Sequence, residues 1–381
     1  MNRRDFFKAT GLLTLYPQLL FSKDLPKRRL ILIKLAGGND GLNTLVPFQD
    51  DLYYKLRPKI ALKKESLLKI NSELGLHPGL KKVHSLFKEG KTAIIQGIGM
   101  PSPNLSHFRA MDIIETGSNS NEVLTKGWII RALEQEKRNY ELNGIVLGNP
   151  HLGPLQGDNL KSLSLKNLKF FQRSTKKLQD IKLKELSNLA KENEALRHIL
   201  NVEKSLQMSS QKIGDMAMEK MEIQGKSFPL KYQVQTALTL IKKNPSLPVL
   251  VLSLPGFDTH RAQLGKHNFL LNGLDKGIEA LSDGLKKLGE WNSSLILTYS
   301  EFGRRVQENE SLGTDHGTAN VFFALGGKVK GDVYGKGPSL GNLEEGNLIY
   351  TTDYRSVYES IHKNWFKFKK TSFQKKELPF I

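Results

Sequence analysis

From Pro26 onward the chain alternates between short, almost unbroken apolar runs and longer stretches whose apolar residues recur every three or four positions. The runs are Arg29–Ala36 (RLILIKLA), Thr92–Ile98 (TAIIQGI), Leu247–Leu254 (LPVLVLSL), Ser294–Tyr299 (SLILTY) and Asn320–Leu325 (NVFFAL). A strand with one wet face alternates apolar and polar residues, so runs without that alternation predict strands covered on both faces. Helical patterns lie between them at Pro78–Lys91, Ser106–Glu115, Lys126–Asn139, Pro229–Lys243, Leu264–Glu290 and Tyr354–Trp365. Strand and helix in alternation predict an α/β fold with a doubly wound, mostly parallel sheet and helices on both faces.

Two stretches break the rhythm. Residues 158–226 carry no strand signal and read as a helical insertion around Lys176–Met221, with Leu183, Leu186, Leu189, Leu196 and Leu200 on a core-facing stripe. The chain opens MNRRDFFKATGLLTLYPQLLF, in which Arg3 and Arg4 precede an apolar stretch, Ala9–Phe21, too short for a membrane span. Twin arginines followed by aromatics and a lysine look like a twin-arginine (Tat) export signal, with an amphipathic N-terminal helix as the plainer alternative. No A-x-A site follows, so cleavage and retention as an anchor both stay open. The expected organisation is residues 1–25 as signal or anchor and 26–381 as the α/β domain bearing the insertion.

The full chain has 381 residues with 39% apolar and 25% charged positions, which excludes collagen-like, disordered and disulfide-stapled classes. It has 57 Lys and Arg against 38 Asp and Glu, a net charge of +19. Residues 161–226 supply 14 basic against 8 acidic residues. No recognition motif or aromatic interleaving accompanies the charge, so nucleic acid is not an expected partner. An anionic ester or an anionic envelope polymer is. There is no cysteine, so any nucleophile is oxygen and any metal is held by His and carboxylate.

Polar, metal-competent residues gather where the expected strands end, the edge at which open parallel sheets bind ligands. The first strand leads into Gly37-Gly38-Asn39-Asp40-Gly41; Asp40 is either a ligand or part of a tight turn. The second leads to Ser106-His107-Phe108-Arg109, where Ser106 is a helix N-cap or a catalytic nucleophile activated by a metal or by His107. Next come Asp258 and His260 in GFDTH, Glu301, Arg304 and Arg305 in SEFGRR, and Asp315 and His316 in GTDHG. Imidazole with carboxylate suits zinc, manganese or iron best, with calcium or magnesium still open. Arg109, Arg304 or Arg305 would neutralise the oxygens of an anionic substrate. His267 reads as a ligand or a surface helix residue, and His77, His84, His151, His198 and His362 as packing or surface residues. Thr351–Arg355 reads as the N-cap of the last helix.

The twin-arginine start, LAGGNDGLNTLVP, SHFRAMDIIETG, GFDTH, SEFGRRVQENESLGTDHG and TTDYRSV resemble, in that order, a family of exported bacterial proteins known only as a domain of unknown function. The resemblance spans residues 28–366, and the family is similar to the alkaline phosphatase and sulfatase superfamily. It implies an alkaline phosphatase-like fold with two metals. Asp40 would hold one; Asp258, His260 and His316 would hold the other; Ser106 would be the nucleophile. Where the superfamily places Asp-His, this chain has Glu301-Phe302, so one site is depleted or is completed by Asp315 or His107. The Ser106-His107-Phe108-Arg109 stretch lacks the proline of a formylglycine motif, which disfavours a sulfatase of that type. The expected function is an exported hydrolase of phosphate or sulfate esters. The alternative is a catalytically reduced relative that binds an envelope polymer or a partner protein. Besides substrate, the expected partner is the Tat machinery, with membrane contact only through the signal and a periplasmic location.

Overall fold

The computed structural model describes residues 28–136, 140, 142–158, 161–165, 221–223, 226–370 and 373–381. The residues expected to form an export signal and nearly all of those expected in the helical insertion fall outside them. A nine-stranded sheet forms the centre. Its strands are β1 (Arg29–Ala36), β2 (Thr92–Gly99), β3 (Gly144–Leu147), β4 (Ser162–Leu165), β5 (Val249–Pro255), β6 (Ser294–Tyr299), β7 (Asn320–Leu325), β8 (Val333–Tyr334) and β9 (Thr352–Asp353). They lie in the order β8-β2-β7-β6-β1-β5-β3-β4, with β9 beside the end of β2. All pairs are parallel except those of β7, which runs against β2 and β6. β4 corrects the expectation that residues 158–226 hold no strand: SLSL is four residues at a sheet edge, too short to leave a pattern.

Both faces of the sheet are covered, as the unbroken apolar runs require. Ile31, Ile33 and Leu35 of β1 face one core and Leu30 and Leu32 the other, the period of two that a strand imposes. The first core is closed by α2 (Lys81–Lys88), α5 (Lys231–Lys243) and α6 (Gln263–Lys287). The second is closed by α3 (His107–Thr116), α4 (Trp128–Gln135) and α7 (Tyr354–Ser360), the last continuing into a π-helical turn, Ile361–Trp365. A short helix, α1 (Asp51–Leu56), and small β-ribbons cap the carboxyl edge in a third cluster around Tyr53, Val306 and Ala319.

Strand direction decides where the chemistry collects. The loops after β1, β2, β5 and β6 leave the sheet at its carboxyl edge, and β7, being reversed, enters at that same edge. Residues 313–317, which precede a strand, therefore meet residues that follow strands. Gly37 makes this convergence tight: its φ is +119°, and a Cβ there would lie 2.3 Å from the backbone nitrogen of Asp258.

Candidate metal centre

Asp258 follows β5 and lies at the middle of the convergence. Its Oδ1 is 3.0 Å from His260 Nε2, 3.3 Å from His316 Nε2 and 2.6 Å from Arg304 Nη2. Its Oδ2 is 3.5 Å from Nε2 of His107, on the first turn of α3. The His260 and His316 Nε2 atoms are themselves 3.0 Å apart. Ligand atoms of His107, Asp258 and His316 all lie within 4.8 Å of one another, a grouping able to hold a metal ion.

The outward nitrogens fix the tautomers. His316 Nδ1 is 2.8 Å from the Leu105 carbonyl oxygen, which can only accept, so Nδ1 carries the proton. His260 Nδ1 faces Asp315 Oδ1 at 3.1 Å, and His107 Nδ1 faces Glu301 Oε1 at 3.1 Å. Asp315 is held below the usual carboxylate range: burial opposes the charge, and hydrogen bonds from Asn309 and His260 outweigh it. Burial pushes the His316 ring below its ordinary value, Arg304 and His107 push the same way, and the bonds to Leu105 and Asp258 oppose them. For Asp258 burial again works against the charge, and Arg304 with the two histidines overcomes it. With its proton on Nδ1, His316 turns the lone pair of Nε2 toward His260 Nε2 and the Asp258 carboxylate.

Side walls orient these groups. The Phe302 ring lies 4.5 Å from the His316 ring and 5.0 Å from that of His107, centroid to centroid. Arg304 is fully buried and donates to the carbonyls of Gly37, Gly38 (2.8 Å), Phe257 (3.0 Å) and Thr314 (2.9 Å) as well as to Asp258. It ties the loops after β1 and β5 to the segment before β7 and orients Asp258, and so is not free to neutralise a substrate. Arg109 is engaged elsewhere, with Asp112 and the carbonyls of residues 119, 120 and 122. Arg305 is exposed.

Three expected ligands sit differently. Asp40 is 1% exposed: Oδ1 accepts from the backbone of Leu42 (3.1 Å) and Asn43 (3.3 Å), while Oδ2 takes Arg57 (2.6 Å) and Gln263. Burial disfavours its charge and Arg57 restores it, so the pKa lies below the usual value. Glu301 and Asp315 face the outer nitrogens of His107 and His260, not the point at which the inner ones meet. His107, expected among the catalytic groups, is instead one of those that converge. His267 is buried on α6, its Nε2 3.0 Å from Asn39 Oδ1. Ser106 occupies the N-cap of α3 but makes no capping bond; its exposed hydroxyl stands between Leu105 and His107, both of which touch the centre. Sequence reasoning missed Gln263, whose amide meets Asp40, Thr259 and Thr314; a lone glutamine at a helix start carries no signal.

The family model described as "Protein of unknown function (DUF1501)" matches residues 27–356. No curated protein matches the chain. Among solved structures, Ps i-CgsB in complex with k-i-k-neocarrahexaose is similar over 90% of this chain and 73% of its own, at 12% identity and a TM-score of 0.44. The PsFucS1 sulfatase from Pseudoalteromonas sp. is similar over 95% of this chain and 72% of its own, at 11% identity and a TM-score of 0.40. A protein in the alkaline phosphatase superfamily from Vibrio parahaemolyticus is similar over 80% of this chain and 62% of its own, at 8% identity and a TM-score of 0.39.

Proposed function

The chain belongs to the DUF1501 family, whose description names no activity, and from its site we propose that it is an exported, metal-dependent hydrolase of phosphate or sulfate esters. One observation carries the reading: His260 Nε2, His316 Nε2 and Asp258 Oδ1 stand 3.0, 3.0 and 3.3 Å apart and face one another. Such a group repels itself unless a cation or a shared proton lies among its members. Atoms at these separations surround a point about 2 Å from each, the length of a zinc–nitrogen or zinc–oxygen bond. The protonated Nδ1 atoms, each bonded to a carbonyl or carboxylate, complete the pattern typical of metal-binding histidines.

The donor set therefore fits a divalent metal held by Asp258, His260 and His316, with His107 beside them; zinc, manganese or iron suits these atoms best. A bound metal would polarise an ester oxygen and lower the pKa of a hydroxyl or water. Ser106, exposed and next in the chain to His107, is the nucleophile of this proposal. The exposed Arg305 and the chain's net charge of +19 favour an anionic substrate. Asp40 is absent from this donor set, which makes it a one-metal site. The twin-arginine start is the reason to place the activity outside the cytoplasm.

Purified protein is expected to carry about one equivalent of transition metal by mass spectrometry. Ser106→Ala is expected to keep that metal while losing at least about a thousandfold in turnover of an aryl phosphate or aryl sulfate. Metal-free protein, or undiminished turnover by Ser106→Ala, overturns the proposal. Phe302, beside two of the histidines, favours a second reading in which a catalytically reduced protein binds an anionic envelope polymer. That reading expects polymer binding to survive the Asp258→Ala, His260→Ala double change.

A further inference from the structure

Beneath the candidate centre lies a buried polar chain that the reading above does not use. Arg57, Asp40, Gln263, Thr259 and Thr314 are each 0–1% exposed. Gln263 is the first residue of α6, and Ala262 before it holds a left-handed φ of +47°. Gln263 Nε2 donates to Asp40 Oδ2, and its Oε1 accepts from Thr259 Oγ1 at 2.9 Å and Thr314 Oγ1 at 2.7 Å.

The direction of every bond in this chain is dictated. The Asp40 carboxylate, paired with Arg57 at 2.6 Å, can only accept, so the amide must present its N–H₂ there. Its oxygen is then turned to the two threonines, and both hydroxyls must donate to it. Thr259 sits between Asp258 and His260, and Thr314 precedes Asp315 and His316. A single amide oxygen thereby clamps the two segments that carry three converging atoms. Two backbone bonds run alongside: Gln263 N to the Leu312 carbonyl at 2.8 Å and Thr314 N to the Thr259 carbonyl at 3.2 Å.

We propose that Gln263, anchored by Asp40, is a positioning residue that sets the spacing of His260, His316 and Asp258 and through it the affinity for metal. This rests on the reading of the site as a metal centre. It gives Asp40 a role other than ligation: its charge orients the amide that aligns the two loops. The hydrogen bonds that hold ligands in place typically govern metal affinity by about 10- to 100-fold.

The test compares Gln263→Met, Thr314→Val and Thr314→Ser with Ile278→Ala, a core change on the same helix that leaves the amide untouched. Zinc affinity of the full chain is measured by calorimetry, stability by urea unfolding, and the ring-nitrogen shifts of His260 and His316 by NMR of the metal-free protein. Gln263→Met and Thr314→Val are expected to weaken zinc binding at least about tenfold and to move both histidine signals. Thr314→Ser, which keeps the hydroxyl, restores affinity to within about threefold of the parent. Ile278→Ala lowers the urea midpoint with zinc affinity unchanged. Parent-like affinity in Gln263→Met, or an equal loss in Ile278→Ala, overturns the proposal. If Gln263→Met does not fold, the Thr314 pair decides alone. If the parent itself binds no zinc, the metal-centre reading falls, and unmoved histidine signals in Gln263→Met overturn the positioning role separately.

Discussion

Arg57 shows how much a single buried residue supports. Besides Asp40, its guanidinium bonds the Val306 carbonyl at 2.7 Å, the Arg305 carbonyl at 2.9 Å and Asn43 Oδ1 at 2.8 Å. Removing it strands a carboxylate that is 1% exposed. Arg57→Met is expected to cost about 3–5 kcal/mol in urea unfolding, because the remaining charge is buried unpaired. A loss under 1 kcal/mol would mean that Asp40 protonates or finds water. The residue scale also marks what a sequence makes visible. Asp258, His260 and His316 are legible because acid and imidazole stand close together where strands end or begin. Asp40 stands in the same kind of place, yet its oxygens turn inward to backbone N–H groups and to Arg57. An acid in a glycine-rich turn reads the same whether it faces a ligand or caps its own loop. The acceptor on His316 is the carbonyl of Leu105, and a backbone atom leaves no trace in the side-chain pattern.

At the scale of elements, α6 carries glycines on two different faces. A Cβ at Gly284 would come within 2.4 Å of Leu238 on α5, a fully buried side chain. At Gly265, on the exposed side of the first turn, nothing lies within 4 Å. The same substitution is therefore expected to act in opposite directions. Gly284→Ala should lose about 1–3 kcal/mol to overpacking, and Gly265→Ala should gain up to about 1 kcal/mol from helix propensity. Thermal or urea midpoints of the two variants check this, and a shared sign refutes the packing argument. The five long strands were legible because each is apolar on both faces, and β6 and β7 begin and end where their runs do. β3 and β4 were not, being four residues each. Nor is the reversal of β7 written in NVFFAL, since a strand buried on both sides looks alike in either direction. Helix ends moved by up to four residues, counting the π-helical turn with α7, as fraying and capping decide them.

At the scale of the whole molecule, three histidines among the described residues are buried. Burial is the leading cause that pushes His77 down to about 3, His267 to about 4 and His362 to about 3. Their unfolded value is about 6.5, so between that and the folded values the unfolded chain binds protons that the folded one does not. Stability is thus complete above pH 6.5 and falls as the pH drops, by about 1.4 kcal/mol per pH unit for each histidine. Urea midpoints should decline steeply from pH 6.5 to 5. His362→Phe, which replaces a ring with no hydrogen bond at either nitrogen, should remove about one third of that slope. An unchanged slope would show that His362 is not among the groups responsible. The reversed β7 has a consequence for the order in which the molecule is made. It delivers His316 to partners from α3 and from the loop after β5, so the centre joins parts of the chain far apart in sequence. No local fragment can assemble it. The chain must close its longest loops before the four groups meet, the slow part of folding for any such topology. A cation held there would lock the last-formed contacts rather than the first, making the centre a seal on a finished fold rather than a seed for it.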